Sequence, residues 1–278
     1  MKVVTGGQGP GKPDQETLDR ERARLPLAGA RRIVVLGCTR GAGQTVTAMM
    51  TGHILAAARG IPIAALDLNP GATSLAARSA PAGSLADLLA GREPDQRASA
   101  GSGARLDVIA DPPGAGRVLE TEDFRRLAYL LAARYPLTMI DPAATGLTRL
   151  LSVADQLVLI APASPDAATS LANTQQWLAA HGYGELTARA VTVVNGVSRR
   201  TTEDVLRAES VARGRCRAIV RVPWDDLLSA RPGSPSALQP QTRLAYTALA
   251  GVLVAGLAAE PRNPAAAVPG RNPRDHSD

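Results

Sequence analysis

A glycine-rich stretch near the start of the chain has the residue types that surround a phosphate group in proteins. It reads CTRGAGQTV and directly follows an apolar run that ends at Gly37. Glycines allow consecutive backbone N–H groups to wrap phosphate oxygens, a lysine neutralises the phosphate charge, and a Ser or Thr hydroxyl binds Mg²⁺. Gly41 and Gly43 fit the last two glycines of such a loop, and Thr45 fits the hydroxyl. The lysine position is occupied by Gln44, so the stretch predicts a phosphate loop that has lost its cation.

The apolar pattern predicts the elements that position this loop. Continuously apolar runs predict strands over Arg32–Gly37, Ile61–Asp67, Leu106–Ala110, Leu137–Asp141, Gln156–Ala161, Ala190–Asn195 and Ala218–Val222. Helical spacing predicts helices over Gln44–Ala58, Ser84–Leu89, Thr121–Ala133, Ala144–Val153, Pro165–His181, Thr202–Arg213 and Gln241–Leu257. Such alternation is typical of a doubly wound α/β fold, a mostly parallel sheet with helices on both faces. Ligands of these sheets bind where the strands end, which here places Gly37, Asp67, Asp141 and Asn195 at one edge.

The predicted domain covers residues 30–258. Residues 1–29 are rich in Gly, Pro and charge and show no strand pattern, so we expect a flexible N-terminal arm. Residues 259–278 contain four prolines and no apolar periodicity, so we expect a disordered tail. The segments Arg92–Arg105 and Ser229–Gln239 have the composition of exposed loops.

The composition favours a cytoplasmic protein without a direct membrane anchor. No apolar run reaches the roughly 18 residues of a spanning helix, and we expect Leu244–Leu257 to pack on the sheet. Two cysteines, Cys38 and Cys216, give neither a disulfide framework nor a metal pattern. The net charge is +6, but Lys2 and Lys12 are the only lysines among 31 Lys and Arg residues. Scattered arginines with 3% aromatics fit a GC-rich genome better than a nucleic-acid surface, so nucleic acid is not indicated as a partner.

Six motifs in a fixed order make the chain similar to the MinD/ParA family of P-loop ATPases, over about residues 30–258. The phosphate loop resembles the family's deviant Walker A run, K-G-G-x-G-K-T-T. The other segments resemble switch I, Walker B with switch II, the strand ending in an adenine-contacting asparagine, the I-P-x-D strand end and the last helix. They read ALDLNP (65–70), TMIDPAATG (138–146), VTVVNGV (191–197), VRVPWDDLLSA (220–230) and QTRLAYTALAGVL (241–253). The resemblance implies ATP or ADP with Mg²⁺ as the ligand.

The resemblance also implies roles for individual residues. The nucleotide-binding positions are Cys38, Thr39, Arg40, Gly41, Ala42, Gly43, Gln44, Thr45, Val46, Asn195 and Pro223. The Mg²⁺-side positions are Thr45, Asp67 and Asp141, and the two carboxylates would be catalytic in an active enzyme.

Three positions depart from the family pattern. The lysine that reaches the partner's ATP is Thr39, the lysine that neutralises phosphate is Gln44, and the aspartate that positions water is Asn69. A genome that replaces lysine with arginine would have placed an arginine at this loop position, where the chain has Gln44. Since phosphoryl transfer depends on positioning and charge, we expect weakened nucleotide binding and negligible hydrolysis. Arg40 could supply a cation from within the loop, although a solvent-facing arginine fits its place better.

Other residues with reactive side chains have simpler interpretations. His53 fits a helix-surface or partly buried position better than a catalytic role, and Cys38 fits a tight turn better than a thiolate nucleophile. Asp225 and Asp226 fit an adenine-side position and a helix N-cap equally well.

Two functional hypotheses follow. The first is a regulatory or positioning protein, a pseudo-ATPase with a degenerate nucleotide site that serves a membrane-associated, secretion or partitioning machinery. Family relatives with damaged Walker A loops, such as the TadZ-type pilus organisers, place machinery at cell poles or membranes. The stretch RLPLAGARRIVVLG also resembles MinD-like proteins of actinobacterial type VII secretion systems. The alternative is an active ATP-dependent dimeric switch, rebuilt around Arg40 and Gln44, in chromosome or plasmid partitioning or in septum or pole placement. The first implies protein partners, with a homodimer possible among them, and a partner that recruits the protein to any membrane. The second implies a dimer around ATP that binds DNA or membrane as relatives in the family do. A dethiobiotin-synthetase-like enzyme is disfavoured because it needs the loop lysine.

Overall fold

Parallel strands form the centre of the protein. The computed structural model describes residues 2–5, 12–69, 71, 73–92, 103–112, 119–229 and 235–260. The strands are β1 (Lys2–Thr5), β2 (Arg31–Gly37), β3 (Ile63–Asp67), β4 (Leu106–Ile109), β5 (Leu137–Asp141), β6 (Gln156–Pro162), β7 (Val191–Val197) and β8 (Ala218–Pro223). They make one eight-stranded sheet in the order β1-β8-β7-β6-β2-β5-β3-β4, and every pairing is parallel. All seven strands predicted from the sequence are present, with ends that differ by at most two residues.

Helices connect the strands and cover both faces of the sheet. They are α1 (Lys12–Ala23), α2 (Gln44–Arg59), α3 (Leu75–Arg78), α4 (Leu85–Leu89), α5 (Thr121–Ala132), α6 (Leu147–Leu151), α7 (Ala167–Ala180), α8 (Gly184–Arg189), α9 (Thr202–Ala212), α10 (Asp226–Ser229) and α11 (Pro240–Ala259). One core lies between the sheet and α2 with α11, where Met49 and Leu249 are fully buried. A second core lies under α5, α7 and α9, where Leu127 and Leu171 are buried. The doubly wound α/β fold is therefore confirmed.

The sequence predicts a flexible N-terminal arm without a strand, whereas residues 2–5 and 12–23 form strand β1 and helix α1. Strand β1 pairs with the edge strand β8, Lys2 opposite Ala218, and α1 packs on α11. A methyl group added at Gly251 of α11 would lie 2.6 Å from the backbone oxygen of Asp19, so the two helix backbones nearly touch. The Arg59 guanidinium fixes the end of α1 by donating to the carbonyl oxygen of Ala23 at 2.8 Å. Sequence pattern missed this segment because its partners lie more than 200 residues away and α1 is charged along its length.

The sequence predicts no apolar run of membrane-spanning length, yet helix α11 is long and apolar enough to cross a membrane, the one such helix in the described ranges. Two-thirds of its apolar window (67%) is buried inside the protein, against β8, α2 and α1. The prediction that this segment packs on the sheet is confirmed. The expected tail beyond Glu260, and most of the loop expected over Arg92–Arg105, lie outside the described residues.

Candidate functional site

The loop between β2 and α2 has the backbone shape that its glycines predict. Gly41 and Gly43 adopt φ angles of 77° and 98°, which disfavour residues with side chains. A Cβ at Gly43 would also lie 2.2 Å from the Nδ2 atom of Asn195, at the end of β7. That Nδ2 donates to the carbonyl oxygen of Ala42 at 2.9 Å. Asn195 thus touches the loop directly, and only glycine fits at position 43.

Gln44, the first residue of α2, turns its amide toward the carboxyl ends of β2 and β5. Its Oε1 accepts from the backbone N–H of Gly37 at 2.8 Å. Its Nε2 donates to Oδ1 of Asp141 and to the carbonyl oxygen of Pro142, the latter at 2.8 Å. All three contacts are made within the protein, so the amide occupies the lysine position without contributing charge.

Asp141 is fully buried and accepts hydrogen bonds only from neutral groups among the described residues. Its Oδ2 accepts from the Thr45 hydroxyl at 2.7 Å, while Gln44 donates to its other oxygen. Burial raises the pKa of Asp141 to about 6, and the nearby Asp67 adds to the rise. Hydrogen bonds from Thr45, Gln44 and Asn69 lower the pKa in part. Among the described residues, the carboxylate therefore has hydrogen-bond donors but no cationic partner.

Asp67 lies beside Asp141, because β3 and β5 pair these two residues in register. Its carboxylate accepts from the backbone N–H groups of Ala76 at 2.9 Å and Asn69 at 3.2 Å. Burial raises the pKa of Asp67 despite these bonds. Thr45, Asp67 and Asp141 thus meet at one edge, where their oxygen atoms are of the kind that Mg²⁺ prefers.

The remaining loop residues bring no cation into the site. Arg40 is exposed, and no hydrogen bond or ion pair joins it to any described residue. Burial raises the pKa of the Cys38 thiol to about 11, so it is no thiolate nucleophile at neutral pH. His53 is half-buried on α2, nine residues beyond Gln44, and away from the loop.

The end of β8 carries the other predicted positions. After Pro223, the buried Asp225 accepts from the backbone N–H groups of Leu227 at 3.0 Å and Gln239 at 2.9 Å, so it caps α10 and ties down the segment before α11. Asp226 accepts from the indole N–H of Trp224 at 2.9 Å. Trp224 is 58% exposed at this edge, and it is not singled out in the sequence analysis. Its position directly after a strand end, in a chain with few aromatic residues, could have drawn attention to it.

Solved structures identify the class of fold. The chain resembles a ParA-family ATPase from Chlorobium tepidum (17% identity, 79% of this chain and 98% of that chain, TM-score 0.63). It also resembles the MinD cell division protein of Aquifex aeolicus (16% identity, 79% and 95%, TM-score 0.59) and an ATP complex of McdA from Cyanothece (18% identity, 78% and 94%, TM-score 0.55). The chain has the MinD/ParA P-loop ATPase fold, as its motifs predict.

A relative with higher sequence identity is the ESX-1 secretion-associated protein EspI of Mycobacterium tuberculosis. It is 33% identical over 228 residues, which cover 75% of this chain and 34% of EspI, in both strains CDC 1551 / Oshkosh and H37Rv. The chain thus spans about a third of the length of this relative. A mycobacterial relative agrees with the actinobacterial resemblance of the sequence. No protein-family model matches the chain.

Proposed function

We propose that the chain is a regulatory or positioning protein with the MinD/ParA fold that does not hydrolyse ATP and serves a secretion machinery. The observation that carries this proposal is the hydrogen-bonding of Gln44. Its amide satisfies Gly37, Asp141 and Pro142 at the position where a phosphate-neutralising lysine would stand. In this proposal the site keeps the shape of a nucleotide site, but its lysine position is filled by an uncharged amide that bonds to the protein itself.

The fit of nucleotide and Mg²⁺ to these residues is uneven. The oxygen atoms of Thr45, Asp67 and Asp141 suit Mg²⁺, and the loop glycines suit a phosphate. The cation is missing, and a charge-assisted hydrogen bond contributes about 1.5–3 kcal/mol. Each lost contact therefore weakens nucleotide binding about tenfold to a hundredfold. Transfer of the phosphoryl group suffers more, because its developing charge must be stabilised by positioned groups.

The secretion role rests on the similarity to EspI, whose name associates it with ESX-1 secretion. We propose that this chain likewise acts with a protein partner, as the Aquifex aeolicus MinD does in its MinC:MinD complex. In this proposal it is a cytoplasmic protein that a partner recruits to a membrane-associated machinery.

A second candidate is the active ATP-dependent dimeric switch. Thr45, Asp67 and Asp141 meet at one edge of the sheet, and this arrangement favours the active switch. A protein that had lost phosphoryl transfer would not need to keep its Mg²⁺-side groups together. Titration calorimetry with ATP–Mg²⁺ and ADP–Mg²⁺, combined with a phosphate-release assay, separates the two. The pseudo-ATPase account expects weak binding and no release, whereas tight binding with turnover that Asp141→Ala abolishes would establish the switch.

A further inference from the structure

Arginine side chains gather at the edge of the sheet opposite the phosphate loop. Arg31 begins β2, Arg189 ends α8 just before β7, and Arg217 directly precedes β8. Because all strands are parallel, their amino ends lie at one edge, while the phosphate loop follows the carboxyl end of β2. The three side chains meet at Glu260, the residue that follows α11, and we call them the arginine cluster.

The arginine cluster binds the side chain and the main chain of Glu260 at the same time. Arg189 donates to the carboxylate Oε2 at 2.8 Å, and Arg217 forms an ion pair with Oε1. Arg31 donates to the backbone carbonyl oxygen of Glu260 at 2.9 Å. The backbone there is extended, with φ −119° and ψ 144°. A carboxylate beside a peptide carbonyl is what an acidic residue of an extended peptide offers, whereas a phosphate group has no such carbonyl.

The cluster carries more positive charge than the nearby acids neutralise. The adjacent Arg32 lies 2.8 Å from a carboxylate oxygen of Asp155, and Arg31 lies 3.8 Å from the other. With Arg32 included, four guanidinium groups therefore share two carboxylates. Within the described ranges, the buried Nε atoms of Arg31 and Arg217 have no hydrogen-bond partner. Such unsatisfied guanidinium N–H groups favour a further acidic residue at this place.

Glu260 is held in a way that lets another carboxylate replace it. The side chains of Arg189 and Arg217 are 39% and 31% exposed, so solvent reaches both ion pairs. Ion pairs that solvent reaches are weak. Ala258 and Ala259, which precede Glu260, are exposed, so the end of α11 can leave the cluster without uncovering the core. Glu260 is therefore a displaceable occupant of the cluster.

We propose that the arginine cluster is a binding site for an aspartate- or glutamate-rich segment of a protein partner, and that Glu260 is the internal ligand that this segment displaces. Arg189 and Arg217 bind the incoming carboxylate, and Arg31 binds the carbonyl oxygen beside it. The site lies at the opposite edge of the sheet from Gln44, so its occupancy does not require a nucleotide. This inference rests on the proposed function in one respect, that the chain acts with a protein partner.

Fluorescence anisotropy with the full chain and a fluorescein-labelled hexaglutamate peptide, blocked at both ends, tests the site. Glu260→Gln removes the internal carboxylate and should bind the peptide about tenfold to a hundredfold more tightly than wild type, because a tethered ligand competes at a high effective concentration. Wild type should bind the peptide weakly, with an affinity that falls as salt rises. Glu203→Gln makes the same change of charge at an exposed position of α9 and should bind as wild type does.

The gain in affinity should depend on the arginines. Adding Arg189→Gln or Arg217→Gln to Glu260→Gln should remove the gain, and urea unfolding checks that each double variant is folded. Equal affinity of wild type and Glu260→Gln, no detectable binding to wild type, or a gain that survives both arginine substitutions would overturn the proposal. A matching gain for a DNA duplex or for phosphatidylglycerol vesicles would also overturn it, because the cluster would then bind phosphate groups.

Peptide binding and phosphate release report on opposite edges of the sheet, so the two proposals fail separately. Turnover of ATP by a chain that binds the peptide through the arginine cluster would remove the proposed pseudo-ATPase function and leave this site standing. Absence of any gain in Glu260→Gln would remove the site and leave the expectation of negligible hydrolysis untouched.

Discussion

At the residue scale, the site is defined by a buried carboxylate that faces neutral donors. Asp141 is held by Thr45 and Gln44, and Asp67 lies alongside it with its own backbone donors. Two neighbouring carboxylates without a cation disfavour a polyphosphate, which would add further negative charge. The chemistry of the site therefore depends on what stands at position 44.

Gln44→Lys should strengthen nucleotide binding. The substitution restores a cation beside the loop glycines, and a charge-assisted contact corresponds to about a tenfold to hundredfold gain in affinity. Titration calorimetry with ATP–Mg²⁺ and ADP–Mg²⁺ measures the gain. Gln176→Lys, at an exposed position of α7, adds the same charge elsewhere and should change nothing. If Gln44→Lys gives no gain for either nucleotide, the loop is no longer a phosphate site.

The unfolding free energy of the protein should depend on pH through the titration of Asp141. Its folded-state pKa of about 6 lies above its ordinary 3.8, so its contribution is full below about pH 4 and is lost as pH rises through 6. An asparagine at this position can accept from Gln44 and donate to Thr45, and it does not titrate. Between pH 4 and pH 7, the unfolding free energy of Asp141→Asn should therefore gain up to about 3 kcal/mol relative to wild type.

Urea unfolding at several pH values measures this difference. Asp87→Asn serves as the flat control: hydrogen bonds from Ser84 and Arg92 lower the pKa of Asp87, so its contribution is lost mainly below about pH 4, and its difference from wild type should stay constant from about pH 5 to pH 7. A wild-type minus Asp141→Asn difference that is flat from pH 4 to pH 7 would contradict the assigned burial of Asp141.

At the element scale, the N-terminal helix depends on one glycine of α11. The backbones of α1 and α11 approach so closely at Gly251 that a methyl group there must displace Asp19. Gly251→Ala should therefore loosen α1, at a cost of about 1–3 kcal/mol for overpacking. Limited trypsin digestion at Arg20 and Arg22 would report the loosening as faster cleavage.

A matched control exists for this substitution. Gly184, at the start of α8, has no atom within 4 Å of an added Cβ, so Gly184→Ala should leave cleavage of α1 unchanged. Wild-type resistance to trypsin in Gly251→Ala would show that α1 does not depend on this contact.

The elements show where sequence reasoning succeeds and where it stops. Strands β2 to β8 are mainly apolar on both faces, and that local signal predicts their ends to within two residues. Strand β1 and helix α1 carry no such signal, because the strand and the helix that they contact, β8 and α11, lie at the far end of the chain. For the site, the sequence predicted which residues share an edge. It did not predict that the Gln44 amide would bond to Gly37 and Pro142, since that depends on side-chain orientation.

At the scale of the whole molecule, the chain shares its fold with MinD and ParA-family proteins, while Gln44 stands where the resemblance places a phosphate-neutralising lysine. Thr39 stands where the resemblance places a lysine that reaches the ATP of a partner subunit. The oligomeric state should therefore not respond to nucleotide. Sedimentation velocity with and without ATP–Mg²⁺ should give one unchanged distribution, and an ATP-dependent shift to a dimer would support the active switch instead.

Whether the site hydrolyses ATP is tested most directly by phosphate release from the purified protein under saturating ATP–Mg²⁺. We expect wild-type release to equal that of Asp141→Ala, because Thr39 and Gln44 stand where the resemblance places the lysines that neutralise the transferred phosphoryl charge. Wild-type turnover that Asp141→Ala abolishes would contradict this expectation.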